Sequence, residues 1–199
     1  MLQSHQQDFF KEILNLGMGR AAAVLEKLAE SPVRLAVPNV TVSDTNSLPN
    51  ELIEYGKEEL VSVNMTFKGI VSGQVVFVLS PYSSLILTEL VTKTAEIESL
   101  RDGEEDVITE IGNIVLNNVI GSWSNLFCDQ FEFGVPTYTR QPLRALISSW
   151  VESSATSDDL QAVRGDAHFE IENFFILGSV LVLFDSESMA RFSSVSVNE

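Results

Sequence analysis

The chain has 199 residues, of which 45% are hydrophobic and 20% are charged, so it is long and apolar enough to bury a core. Its 28 acidic and 12 basic residues give a formal net charge of -16, which argues against nucleic acid or an anionic membrane as the partner. A partner with a basic surface fits this charge better, although scattered acidic residues equally describe an ordinary solvated surface.

Cysteine and histidine are too scarce for a disulfide or a zinc site. The one cysteine, Cys128, excludes an internal disulfide and fits a reducing cytoplasm. The two histidines, His5 and His168, lie outside any metal-ligand spacing. The amino terminus lacks the basic and apolar blocks of a signal peptide, and asparagines interrupt the uncharged stretch 111–128. The sequence therefore predicts a cytoplasmic protein without membrane insertion and without a bound metal or cofactor.

The first half begins with helical periodicity and continues with strand periodicity. Residues 8–28 carry apolar or small side chains at three- and four-residue steps, which predict one buried face of an amphipathic helix. These positions are Phe10, Ile13, Gly17, Ala21, Val24 and Leu28. Alternating apolar residues at 33–37 predict a strand, and Pro38 predicts that this strand lies at a sheet edge, an end or a bend.

The remainder of the first half predicts a hairpin followed by a helix. Residues 46–51 predict a turn or a linker before Leu52 and Ile53. Two apolar runs, 60–67 and 70–79, predict hairpin strands around Lys68-Gly69. Residues 82–94 predict a short helix.

The second half repeats this order of elements. The acidic run 104–106 favours a helix start, and the helix that follows has predicted buried positions at Ile108, Ile111, Val115 and Val119. Alternating residues at 131–135 before Pro136 predict a strand, and 167–171 with 174–184 predict a hairpin around Glu172-Asn173. Residues 142–150 and 186–192 predict further helices, and the polar run 152–159 predicts a loop.

One four-residue pattern occurs in both halves, with three, two and then twenty-two residues between its members. The two copies are Asp8, Glu12, Asn15 and Pro38, and Asp106, Glu110, Asn113 and Pro136. The runs 73–79 and 178–184 also correspond. Because two independent copies of such a pattern are not credible, duplication explains it. We therefore predict one domain, 1–199, built from two repeats of about residues 1–98 and 99–199.

On a helix, the repeated Asp, Glu and Asn fall at steps of four and three, on one stripe that faces away from the apolar face. An exposed Glu and Asn one turn apart present a carboxylate that can pair with a partner's cation and a carboxamide that can hold a water. The plainer alternative is an ordinary polar helix surface. Duplication preserves structural residues as well as functional ones, so the pattern by itself leaves both readings open.

The repeated pattern resembles the signature of the CheC, CheX and FliY group of chemotaxis phosphatases, in which Asp or Ser, Glu, Asn and Pro occur at this spacing. The stretches 12–19 and 110–115 resemble the two active-site helices of that group, and the likeness covers essentially the whole chain. Two signatures without an appended domain resemble CheC most. The resemblance implies an α/β (α+β), CheC-like pseudo-twofold duplicated fold, with an antiparallel sheet and two long motif helices on one face.

The resemblance also implies hydrolysis of the aspartyl-phosphate of a CheY-type response regulator. The motif asparagines would orient the attacking water, and the motif glutamates would pair with a regulator lysine. The motif aspartates are lesser candidates, placed as helix-start or supporting residues. These residues are Asn15 and Asn113, Glu12 and Glu110, and Asp8 and Asp106. Mg²⁺ would be supplied by the regulator, in agreement with the general demands of phosphoryl transfer. The receptor deamidase CheD is a further implied partner.

Three neighbours of the motif residues also bear on the site. Arg20 stands where the family commonly has Asn, which favours the second copy as the better site. Gly17 and Gly19 lie within a predicted helix and lack the lysine and threonine of a Walker motif, so close helix packing is the expected reason for them. Asn117, one turn after Asn113, either assists it or is merely exposed.

The alternative function is a non-catalytic chemotaxis or flagellar-switch adaptor of the same fold, which would bind the response regulator without hydrolysing its phosphate. An unrelated regulatory phosphatase is a third hypothesis.

Overall fold

The computed structural model describes residues 4–45, 47–51, 59–94, 103–152 and 161–195. Within these ranges seven elements occur in an order that then repeats. The first half contains α1 (Ser4–Ala29), β1 (Val33–Ala36), β2 (Val40–Asp44), α2 (Leu48–Glu51), β3 (Leu60–Lys68), β4 (Gly73–Leu79) and α3 (Pro81–Thr94). The second half contains α4 (Glu104–Phe127), β5 (Glu132–Phe133), β6 (Thr137–Gln141), α5 (Leu143–Glu152), β7 (Gln161–Ile171), β8 (Phe174–Phe184) and α6 (Ser186–Val195).

The strands form one antiparallel sheet in which the two halves interleave. The order is β1-β7-β8-β4-β3-β5, with β2 also paired to β7 and β6 also paired to β3. The short strands of each half therefore lie against the hairpin of the other half. Exchanging each strand for its repeat counterpart leaves the order unchanged, and the pairs Gly73–Phe184 and Leu79–Gly178 are exchanged in the same way. A pseudo-twofold axis thus passes between β4 and β8, and the predicted fold class is confirmed.

The main core lies between one face of the sheet and the two long helices. Leu14 and Met18 of α1 and Ile111 and Val119 of α4 are fully buried in it. Burial of such side chains removes apolar surface from water and is the main source of stability. A smaller cluster on the opposite face packs α5 against the sheet, and Trp150 is its largest buried side chain. The sheet and the core together hold α1 and α4 as rigid supports for the motif residues.

The buried face of α1 is wider than predicted. Four predicted positions are buried, whereas Val24 is 42% exposed and Leu28 is half-buried. Five further positions of α1 outside the prediction are buried: Leu14, Met18, Ala22, Leu25 and Ala29. The physical reason is that α1 packs against both the sheet and α4, so a single row of three- and four-residue steps understates its contact surface. In α4 all of the predicted positions, Ile108, Ile111, Val115 and Val119, are buried.

Most other predicted elements are confirmed, with shifted ends. The hairpins are β3–β4 and β7–β8, and the turn of the first hairpin lies at 69–72. Residues 48–51 form the short helix α2 instead of a simple turn, and residue 152 ends α5 instead of starting a loop. The predictions for Leu52, Ile53 and residues 153–159 lie outside the described residues.

The strand prediction at 131–135 is only partly right. The strand β5 is two residues long, and Phe133 and Val135 are exposed. Strand β5 pairs with β3 over two residues, and of the three alternating residues only Phe131 is buried. Both prolines lie where predicted, at breaks in the sheet edge: Pro38 between β1 and β2, and Pro136 between β5 and β6.

Of the helices in the described part of the chain, none is long and apolar enough to cross a membrane.

Candidate functional site

The motif residues of both halves lie on the outward side of the two long helices. The aspartates and glutamates are exposed and the asparagines are half-buried. These residues are Asp8, Glu12 and Asn15 in α1, and Asp106, Glu110 and Asn113 in α4. The first turn of α4 includes Asp106, whereas the first turn of α1 contains no acidic residue. A helix-start position therefore describes Asp106 and not Asp8.

The amide of Asn15 is bound to the chain just before the first motif proline. Its Nδ2 donates to the carbonyl oxygen of Val37 at 2.9 Å, and its Oδ1 accepts from the Val37 N–H at 2.8 Å. Nδ2 also donates to the carbonyl oxygen of Lys11 at 2.9 Å. Val37 lies in the gap between β1 and β2, so the Asn15 amide supplies the backbone partner that a strand would otherwise supply. Both donors of this amide are therefore used within the fold.

This pair of hydrogen bonds explains the spacing between the motif Asn and Pro in the first half. Val37, to which Asn15 binds, directly precedes Pro38. The proline has no N–H and interrupts strand pairing at this point. The sequence contained a signal for the contact, namely the fixed distance of Asn and Pro across a helix-to-strand connection, but periodicity alone did not identify Val37 as the partner.

The second half does not repeat this contact among the described residues. Val135, which precedes the second motif proline, is 85% exposed. The N–H of its neighbour Gly134 donates instead to the carbonyl oxygen of Thr66 at 2.8 Å. The Asn113 amide is held by Asn117, whose Nδ2 donates to Asn113 Oδ1 at 2.5 Å and to the Asn113 carbonyl oxygen at 2.9 Å. Within the described part of the chain, Asn113 Nδ2 has no hydrogen-bond partner.

A network of polar side chains fixes the start of α4. Arg140 on β6 pairs through Nη1 with Glu104 Oε2 and through Nε with Glu59 Oε2, both at 3.2 Å. The Ser84 hydroxyl donates to Glu104 Oε1 at 2.6 Å. Burial and the Glu104 carboxylate raise the pKa of the Tyr138 phenol above its ordinary value of 10.0, although Arg140 partly offsets this. These contacts attach the amino-terminal end of the second motif helix to the sheet.

The two glycines of α1 have different environments. A Cβ on Gly17 would lie 2.6 Å from Val119 Cα and 2.9 Å from the Asn118 carbonyl oxygen, so α1 and α4 touch there. A Cβ on Gly19 would meet nothing within 4 Å. The prediction of close helix packing is confirmed for Gly17 and is wrong for Gly19. Arg20 is exposed, and the bonds of Asn15 go to backbone groups and not to this guanidinium.

Within the described ranges, no group of three or more His, Cys, Asp or Glu side chains is arranged to hold a metal ion. The histidines considered in the sequence, His5 and His168, are both exposed. The supply of Mg²⁺ by a partner stays a prediction.

No protein-family model matches the sequence. The structure is similar to the crystal structure of FliY from Thermotoga maritima, with 16% identity, coverage of 99% of this chain and 98% of that chain, and a TM-score of 0.77. It is similar to the FliM middle domain from H. pylori, with 11% identity, coverage of 98% and 99%, and a TM-score of 0.69. It is also similar to the chemotaxis protein CheX from Desulfovibrio desulfuricans, with 13% identity, coverage of 86% and 99%, and a TM-score of 0.50. The chain therefore has the fold that these proteins share, as the motif resemblance implied.

Proposed function

We propose that this protein is a cytoplasmic chemotaxis phosphatase that hydrolyses the aspartyl-phosphate of a CheY-type response regulator. The main support for the proposal is the position and the hydrogen bonding of the Asn113 side chain. Its amide lies one turn after the exposed Glu110 on a helix anchored at its start, and its Nδ2 is unpartnered among the described residues. A carboxamide in this position can donate to a water and hold it without acting as a base.

The proposed reaction asks for positioning more than for covalent chemistry. Water attacks the phosphorus in line, the bond between phosphorus and the aspartyl oxygen breaks, and the aspartate carboxylate and inorganic phosphate are released. Asn113 would orient the attacking water, and Glu110 would pair with a lysine beside the regulator's phosphorylation site. Mg²⁺ bound by the regulator would offset the phosphate charge. The net charge of -16 suits a partner with a basic docking surface.

We include the first copy, Glu12 and Asn15, in the proposal as a second site. Engaging a regulator there costs the free energy of the hydrogen bonds that Asn15 makes within the fold. The Asn15 amide must break its hydrogen bonds to the carbonyl oxygen and the N–H of Val37 before it can reach a regulator. Each of these hydrogen bonds contributes about 1 kcal/mol. We therefore assign most of the activity to the second copy. Asp8 and Asp106 are proposed as supporting residues of their helices, and CheD stays a proposed partner that binding to the purified deamidase would test.

The second candidate function is a non-catalytic adaptor that binds the regulator or a flagellar-switch component. The likeness to the FliM middle domain favours it, because the H. pylori protein has been crystallised in a complex with FliG. The exposed Glu110 and the unused Nδ2 donors of the half-buried Asn113 favour the phosphatase instead, because an adaptor has no need of an amide with free donors.

The decisive experiment follows the decay of the phosphorylated cognate regulator in the presence of Mg²⁺. We expect the wild-type protein to accelerate decay, the Asn113→Ala variant to lose most of the acceleration, and the double variant with Asn15→Ala to lose the rest. The matched control is Asn118→Ala, a neighbouring asparagine whose amide bonds only to the helix backbone. Spontaneous decay unchanged by wild-type protein would contradict the proposal, and binding of the phosphorylated regulator without hydrolysis would establish the adaptor.

A further inference from the structure

Asn117 lies one turn after Asn113 on α4, and its side chain reaches back to the Asn113 amide. We propose that Asn117 is a positioning residue, which sets the orientation of the Asn113 carboxamide for the reaction. This inference rests on the proposed phosphatase function and adds to it the group that prepares the site before the regulator binds.

The direction of the hydrogen bond determines which atom of Asn113 points outward. Asn117 Nδ2 donates to Asn113 Oδ1 at 2.5 Å, so the oxygen of the Asn113 amide is turned towards the carboxyl-terminal side of the helix. The same donor group also binds the Asn113 carbonyl oxygen at 2.9 Å, which fixes the Asn117 side chain. Rotating the Asn113 amide by half a turn would bring two NH₂ groups face to face. The Nδ2 donors of Asn113 are thereby left for the regulator's water or phosphoryl oxygen.

The hydrogen bond from Asn117 to Asn113 Oδ1 is additional to the bond that an asparagine in a helix ordinarily makes. Asn118, the next residue, makes only the ordinary bond from its Nδ2 to the carbonyl oxygen of Ile114, at 2.8 Å. Asn117 makes the equivalent bond to the Asn113 carbonyl and in addition touches the motif side chain. Side chains with polar tips in helices commonly bond to the carbonyl four residues earlier. This tendency does not explain the second contact, whereas a role in orienting the Asn113 carboxamide does.

The first copy lacks this device. The position equivalent to Asn117, ninety-eight residues earlier, is Gly19, which has no side chain. Its motif amide is held by the backbone of Val37 instead, with both donors used. The two motif asparagines are thus fixed by different hydrogen bonds. Of the two, only Asn113 keeps its Nδ2 donors unused within the described residues. Fixing a reactive side chain in advance reduces the ordering cost of the productive complex.

The test compares Asn117→Ala, Asn117→Asp and the matched control Asn118→Ala in single-turnover dephosphorylation of the regulator. We expect Asn117→Ala to lower the maximal rate about tenfold while the half-saturating concentration changes by less than about twofold, because orientation and not docking is lost. The Asp side chain has nearly the same shape but can only accept, so it should draw Asn113 Nδ2 inward and reduce the rate at least as far. Asn118→Ala should retain the wild-type rate.

A second measurement does not depend on activity. In ¹⁵N-labelled protein, the Asn113 side-chain NH₂ signals are identified by their loss in Asn113→Ala. We expect these signals to shift in Asn117→Ala and Asn117→Asp and to stay in place in Asn118→Ala. Unshifted signals, or wild-type maximal rates in both Asn117 variants, would overturn the positioning role while leaving the phosphatase intact. Absence of any wild-type acceleration would overturn the phosphatase, and the NH₂ signals would still decide whether Asn117 holds Asn113.

Discussion

The side chain of Asn15 and the backbone of Val37 bind each other twice, donor to acceptor and acceptor to donor, at 2.9 and 2.8 Å. Asn113 has the same place in the repeated pattern and makes no such contact among the described residues. Two asparagines that are equivalent in sequence therefore have different environments: Asn15 joins α1 to the sheet edge, and the half-buried Asn113 keeps its Nδ2 unpartnered among the described residues. This difference can be measured in stability as well as in activity.

Asn15→Ala should destabilise the protein by about 1–3 kcal/mol, because it leaves the N–H and carbonyl of the buried Val37 without partners. Asn113→Ala is the matched control and should change the free energy of unfolding by less than about 0.5 kcal/mol. Urea denaturation at neutral pH measures both. Equal urea midpoints for the two variants would show that the contact with Val37 contributes little.

Gly17→Ala should destabilise the packing of α1 on α4 by about 1–3 kcal/mol, since its Cβ would meet the backbone at Val119 and Asn118, which cannot rotate away. Gly19→Ala, two residues further on an exposed helix face, should stabilise the protein by up to about 1 kcal/mol. Thermal unfolding followed by circular dichroism compares the two. A loss of stability in Gly19→Ala as large as in Gly17→Ala would contradict this assignment.

Glu110→Gln should weaken binding of the phosphorylated regulator about tenfold or more, because it removes the charge proposed to pair with a regulator lysine. The maximal dephosphorylation rate should change less than the affinity, and the salt dependence of binding should become shallower. Titration at two ionic strengths measures these effects. Glu12→Gln serves as the control in the first copy, and an equal loss of affinity there would show that both copies dock equally.

Tyr138 should make stability fall at high pH. Burial and the Glu104 carboxylate raise its pKa in the folded state above 10.0, so the fold favours the neutral phenol. The stabilisation that follows is fully present below about pH 10 and is lost as the pH rises through the folded-state pKa. Unfolding midpoints in urea between pH 9 and 11.5 should fall less steeply in Tyr138→Phe than in wild type. Parallel curves for the two proteins would refute the assignment.

Much of the local structure could be predicted from the sequence because it depends on periodicity. The buried face of α4 at Ile108, Ile111, Val115 and Val119 follows from helical spacing. The outward position of Glu110, which is exposed, and of Asn113, which is half-buried, follows from the same count. The alternation at 131–135 did not predict burial, because Phe133 and Val135 are exposed and only Phe131 is buried, whereas the equivalent alternation in β1 does bury Val33 and Leu35.

The sequence by itself determined that the chain is duplicated, that each half has a long helix followed by strands, and that a Glu and an Asn lie on the outward side of each helix. Only the tertiary structure decided that β1 and β2 pair with the hairpin of the other half. It also decided that Gly17 packs against α4 whereas Gly19 is exposed, and that Asn15 is hydrogen-bonded to Val37. The physical reason is that periodicity reports which side of an element is apolar, whereas these contacts join residues far apart in the chain. The partner of each residue depends on how the two halves pack together, and the spacing of residues within one helix does not encode that packing.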